Sequence, residues 1–128
     1  MLLQPMREQP EVLFPGEEVP AEAFGMGYWF WCAGCDSFHR FRTKVPRGGA
    51  GPVWTFNGDL EMPTFFPSLL YRDHENKTLC HLFLRGGVLE YCGDCPHKLA
   101  GKHVSLVEPP RGDLFGRPWD STPDLEKN

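Results

Sequence analysis

The chain has 128 residues, 41% of them hydrophobic, with 14 Gly, 13 Pro and a formal net charge of −4, which suits a single turn-rich domain with a modest core. The acidic balance weighs against wholesale binding of a phosphate backbone, and no run approaches the roughly 18 apolar residues of a membrane span. The opening MLLQPMREQPEVLFPGEE has no basic segment leading into an apolar one, so no secretory signal is expected and the setting reads as cytoplasmic.

Residues 1–26 are Pro-rich and acidic without a helical period and are expected to form an extended arm, with Val12-Leu13-Phe14 as a short edge strand. The body is expected over 27–107. Its segments YWFWC, FHRFRTKV, VWTFNG, TFFPSLLY, TLCHLFL, VLEYC and HVSLV are short, aromatic or β-branched, and bounded by turn residues. That spacing predicts a mainly β single domain, a meander or small sandwich. Gly86-Gly87 is the clearest hairpin turn, because glycine accepts positive φ. This turn sets Arg85 opposite Val88 and, further back, His81 opposite Cys92 and Cys80 opposite Gly93. Alternation then sends Cys80 and His81 to opposite faces. CPHKLAGKH, residues 95–103, has room for one helical turn ended by Gly101. Residues 108–128 read as a polar, Pro-rich tail, with Phe115 and Trp119 available to pin it to the body.

The five cysteines are Cys32, Cys35, Cys80, Cys92 and Cys95. The number is odd, and a reducing compartment disfavours structural disulfides, so the grouping points to metal or redox chemistry. A Cys-x-x-Cys turn aims two thiolates at one point, which is half of a tetrahedral zinc shell. Spacing alone selects Cys32, Cys35, Cys92 and Cys95. The hairpin register also brings Cys80 to the second turn, so either Cys80 or Cys92 can be the fourth sulfur, and His97 follows two residues after Cys95. Buried cysteines acting as small hydrophobes and a redox Cys-x-x-Cys, which needs a βαβ context missing from this pattern, are weaker readings than zinc.

The order Cys-x-x-Cys-x-x-x-His (Cys32, Cys35, His39), Trp-x-x-Asn-Gly (Trp54, Asn57, Gly58), Pro-Thr-Phe-x-Pro-Ser (Pro63 to Ser68), Cys-His (Cys80, His81) and Asp-Cys-x-His-x-Leu-Ala-Gly (Asp94 to Gly101) resembles an uncharacterised family of small phage and prophage Cys/His-rich proteins, sometimes mislabelled ammonia monooxygenase. The resemblance spans residues 28–107 and implies a bacterial host cell but no activity. In that pattern the Cys92 position is usually apolar. The resemblance therefore implies a zinc site of Cys32, Cys35, Cys80 and Cys95, with Cys92 or His97 as the alternative fourth ligand.

His39, His81 and His97 are the alternative catalytic set, three imidazoles holding a hydrolytic zinc with one position open to water. No general base stands at a defined spacing from them. Asp59, Glu61 and Asp94 are candidates only, so the histidines are expected to pack, hydrogen-bond or meet a partner. The segment WTFNGDLEMPTFFPS reads as a rigid loop packed against the zinc, its Thr64 and Ser68 hydroxyls capping or lining a pocket. Arg40, Arg42, Lys44 and Arg47 interleave with Phe38 and Phe41, a pattern that suits single-stranded nucleic acid, but the acidic total favours a solvated strand face. The expectation is thus a zinc-stabilised accessory module that binds a host or phage protein. A metal-dependent hydrolase is the rival reading. Nucleic acid and membrane are not expected partners.

Overall fold

The computed structural model describes residues 2–119 and contains two antiparallel sheets. The first holds β1 (Gln4–Glu8), β2 (Gly25–Cys32) and β3 (Ser37–Lys44) in that order. The second holds β4 (Thr55–Phe56), β5 (Phe65–Arg72), β6 (Thr78–Arg85), β7 (Val88–Tyr91) and β8 (His103–Ser105), also in chain order. Each of the seven aromatic or β-branched segments carries one strand, and the mainly β architecture expected from them is the one observed. The β6–β7 hairpin has the expected register, Arg85 opposite Val88, with φ of 55° at Gly86 and 79° at Gly87.

Three local expectations differ from the structure. The arm's strand is Gln4–Glu8, paired from Gln4 opposite Trp29 to Glu8 opposite Gly25, whereas Val12, Leu13 and Phe14 are exposed outside any strand. Leu3 is fully buried and anchors the arm at its start, while Pro10 and Pro15 remove ladder donors on either side of the later segment. Residues 95–101 form turns closed by Ala100 N–H to His97 O (3.2 Å) and end at Gly101 with φ 73°; the helical piece among the described residues is a 3-10 turn at Ala21–Ala23. In the tail Phe115 is exposed whereas Trp119 is half-buried, and Arg111 reaches the body, its guanidinium lying over the Trp31 ring and 3.4 Å from Asp36. Residues 120–128 of the tail lie outside the described residues.

The sheets meet through an aromatic column. Phe41 of β3 stacks on Phe65 of β5 at 4.3 Å between centroids, Phe65 stacks on Phe56 at 4.5 Å, and Phe30 stacks on Phe41 at 5.4 Å. Leu82, Leu84 and Leu89 close around it, each 1% exposed or less. Phe65 is the ring that two others depend on. Phe65→Ala is expected to cost about 3–5 kcal/mol, lost transfer energy plus a cavity that stacked neighbours fill poorly, as read from the midpoint shift in chemical denaturation.

The cationic stripe is taken up within the fold. Arg40 and Arg42 reach Glu8 at 3.1 and 2.8 Å, Lys44 donates to Glu22 O, and Arg47 pairs with Glu17 at 2.8 Å. Arg47 is the first cause of Glu17's carboxyl lying below its usual range.

Candidate active site

The outer face of the second sheet carries a line of three polar side chains. Ser68 Oγ lies 3.0 Å from His81 Nε2, and His81 Nδ1 lies 3.1 and 3.2 Å from the two Asp94 carboxylate oxygens. With Nδ1–H donated to the carboxylate, Nε2 presents its lone pair to the Ser68 hydroxyl, the tautomer a general base requires. Thr78 Oγ1 donates to Asp94 Oδ2 at 3.4 Å. Burial acts to raise the Asp94 carboxyl, but the hydrogen bond and charge of His81 outweigh it, and the group titrates below its ordinary value. The His81 and Asp94 side chains are 26% and 50% exposed, so the line is open to solvent.

Strand geometry explains how the three meet. In the β5–β6 ladder Phe65 pairs with Leu84 and Leu69 with Leu82, so residues 66–68 together oppose Phe83. This bulge keeps Phe65 and Leu69 both in the core while turning Ser68 to the outer face. His81 is on that face because alternation sends it away from buried Cys80. Its backbone holds the third member in place: His81 O accepts the Cys92 N–H at 2.9 Å and its N–H reaches Cys95 Sγ at 3.3 Å, fixing the turn that carries Asp94.

The opposite, inter-sheet side of β6 holds the cysteines. The ligand atoms of Cys32, Cys35, His39 and Cys80 lie within 4.8 Å of one another, an arrangement compatible with a metal such as zinc. Cys32 Sγ and Cys80 Sγ are 3.8 Å apart, and Tyr91 Oη is 3.2 Å from Cys32 Sγ. Cys80 also groups with Cys95 and His97, with His97 Nε2 3.7 Å from Cys80 Sγ. Cys32, Cys35 and Cys80 of the expected sulfur set are thus together, and Cys95 meets the cluster through Cys80. Cys92 stands on the other side, with His81 and Asp94. All five cysteines are free thiols. The hydrogen bond from Cys80, the neighbouring His39 ring and the Tyr91 hydroxyl pull Cys32 down to about 3, while burial and the Cys32 charge push Cys35 up to about 11 and Cys32 pushes Cys80 well above its usual range. Sulfurs this close ionise together only when a cation compensates them.

The Gly34 inside the first Cys-x-x-Cys has a steric role. A Cβ there would run into the His97 imidazole, and the Gly34 N–H goes to Tyr91 Oη at 3.3 Å. Residues His39, His81 and His97 do not converge: His39 and His97 face the cysteines, His81 faces Ser68 and Asp94, and no cluster among the described residues joins the three. The alternative three-histidine hydrolytic zinc is corrected on this point, because adjacent residues on a strand point to opposite faces. Asp59 and Glu61 lie in the turn after Asn57, where Asp59 Oδ1 caps the Glu61 and Met62 N–H groups.

From the sequence Ser68 is expected only as a pocket hydroxyl and Asp94 only as one candidate base, and no expectation joins them through His81. The usable signal was the hairpin register, which sets Asp94 just past the residue opposite His81.

No helix among the described residues is long and apolar enough to cross a membrane. No curated protein and no solved structure matches the chain, and the phage or prophage setting implied by the motif resemblance has no counterpart in the comparisons. Residues 6–92, more than half of the chain, match the family described as bacterial ubiquitination-like system serine protease (BubE), and the chain belongs to that family.

Proposed function

We propose that the chain is a serine peptidase acting within a bacterial ubiquitination-like system, with Ser68 as nucleophile, His81 as general base and acid, and Asp94 as the group that orients His81. The observation that carries this reading is the unbroken line from Ser68 Oγ through both His81 nitrogens to Asp94, at 3.0 and 3.1 Å. Ser68 Oγ attacks the scissile carbonyl carbon while His81 Nε2 takes its proton. The tetrahedral intermediate collapses as Nε2 gives that proton to the leaving amine, which departs and leaves an ester on Ser68. Water then attacks the ester, passing its proton to Nε2, and the acid product leaves as the proton returns to Ser68. Asp94 stays ionised throughout and stabilises the imidazolium. The Ser68 N–H is the proposed oxyanion donor: Phe83, opposite the bulge, directs its backbone groups toward β7, so β6 offers Ser68 no ladder acceptor.

The sheet edge beside Ser68 fits an extended peptide. His81 gives both backbone groups to the Cys92–Cys95 turn, so its pairing with Leu70 is a non-hydrogen-bonded one and the Leu70 N–H and C=O point away from β6. On that side β4 pairs only with Phe65 and Phe66. Leu70 therefore offers an open rung two residues from the nucleophile, the kind of edge to which a substrate strand adds. A protein substrate is the partner this implies, and five free thiols suit the reducing cytoplasm of a bacterial cell.

A fluorophosphonate probe tests the nucleophile without knowledge of the substrate. Intact-mass and peptide mass spectrometry are expected to show one adduct, on Ser68, absent after heat denaturation. The accessory binding module of the motif resemblance predicts a folded chain with no adduct, and that result would replace the peptidase reading.

A further inference from the structure

The inter-sheet cluster contains more donors than one tetrahedral ion can use. Cys32, Cys35, Cys80, Cys95, His39 and His97 are all nearby, and hydrogen bonding decides among them. The 3.8 Å between Cys32 Sγ and Cys80 Sγ equals the edge of a tetrahedron with zinc–sulfur bonds of about 2.3 Å. His39 Nδ1 lies 3.0 Å from Phe38 O, so it carries the ring proton. Its Nε2 is then a bare lone pair, buried and without a hydrogen-bond partner, on the residue grouped with these sulfurs. A metal-bound imidazole has this arrangement, the far nitrogen held by a backbone carbonyl.

His97 has the opposite tautomer. Its Nδ1 accepts the Leu99 N–H at 3.2 Å, so the proton of the neutral ring sits on Nε2, 3.7 Å from Cys80 Sγ. This nitrogen is a donor to sulfur rather than a ligand. Cys95 Sγ is also occupied, accepting the His81 N–H at 3.3 Å and donating to His81 O at 3.1 Å.

We propose that Cys32, Cys35, Cys80 and His39 form a closed zinc site, with His97, Tyr91 and Cys95 as surrounding hydrogen-bond partners. The ligands come from the end of β2, the β2–β3 turn and β3 of one sheet and from β6 of the other, so the ion joins the two sheets at one end. Three thiolates and one imidazole in a tetrahedron select zinc among common divalent ions. An open cleft of about 550 Å³ lined by Cys35, His39, Leu79 and His97 gives the ion a path from solvent. This site is independent of the peptidase reading, and its test does not use activity.

The 128-residue chain, purified without added chelator, is expected to carry about one zinc by elemental analysis, the complement of a single four-ligand structural site. His39→Ala loses it on gel filtration in the presence of a weak competing chelator, and His39→Cys retains it. On cobalt substitution the sulfur-to-cobalt charge-transfer absorbance corresponds to three thiolates in the unaltered chain and four in His39→Cys. Cys95→Ala and His97→Ala keep stoichiometric metal, with affinity lowered by no more than about 10–100-fold. Zinc retained by His39→Ala and lost by Cys95→Ala would overturn the assignment in favour of four sulfurs. A folded chain with no bound metal would overturn the site altogether.

Discussion

Ser68→Ala is expected to lower kcat/KM for any peptide or ester that the unaltered chain cleaves by about 10⁴-fold or more. The replacement removes one exposed-face hydroxyl whose contact is the His81 ring at 3.0 Å, so zinc content and far-UV circular dichroism should not change. His81→Ala is expected to cost about as much, and the double variant no more than either alone, because the two act as one unit. Asp94→Asn is expected to retain about 10- to 100-fold more activity than the other two. Its carboxylate is half exposed, so water competes for His81 Nδ1 and supplies part of the lost orientation. Additive losses for Ser68 and His81, or a Ser68→Ala variant with full turnover, would dissolve the proposed triad.

Stripping zinc is expected to have the largest structural effect. A structural zinc site contributes about 10–16 kcal/mol of apparent binding energy in small domains, comparable to or above the roughly 5–15 kcal/mol that holds a typical domain together. After chelation, or in Cys80→Ser, the near-UV circular dichroism of Trp31, Tyr91 and their neighbours should collapse and fluorophosphonate labelling should disappear with it. Both losses have one origin, because Cys80 and His81 are consecutive on β6 and a strand that loses its metal contact no longer presents His81 to Ser68. Cys92→Ser should spare both signals, since Cys92 stands on the other side of the strand and outside the sulfur cluster. A metal-free chain with unchanged near-UV signal would show that the ion, if bound, does not hold the fold.

Most of the fold was legible because it depends on local rules. Alternating aromatic and β-branched segments between turn residues locate the strands, and Gly86-Gly87 fixes the β6–β7 register to the residue. Alternation along β6 also predicts the separation of Cys80 from His81, and the register sets His81 beside the turn that holds Asp94, although Asp94 was expected only as a candidate base. Ser68 was not legible as the third member of the proposed triad. Its orientation depends on three residues opposing one in the β5–β6 ladder, and a regular alternation cannot foresee where such a bulge falls. The proposed preference for His39 over Cys95 was equally hidden, since it depends on which ring nitrogen faces a carbonyl 3.0 Å away. The arm was misread for a similar reason: burial of Leu3, a tertiary fact, outweighs the apolar run at Val12–Phe14.

The two-residue turn at Gly86-Gly87 also acts as a length gauge for everything after it. Adding one residue there would slide β7 by a single step against β6 and reverse the faces of its side chains. Leu89 and Tyr91, now buried, would turn to water, and Asp94 and Cys95 would exchange the sides of the sheet they serve. The exposed stretch over residues 48–53, within the connection between the two sheets, holds neither a cysteine nor Ser68, His81 or Asp94 and bears no such constraint. Insertions and deletions in this chain should therefore be tolerated where the sheets are joined and excluded at the tip of one hairpin, although both places are turns on the surface.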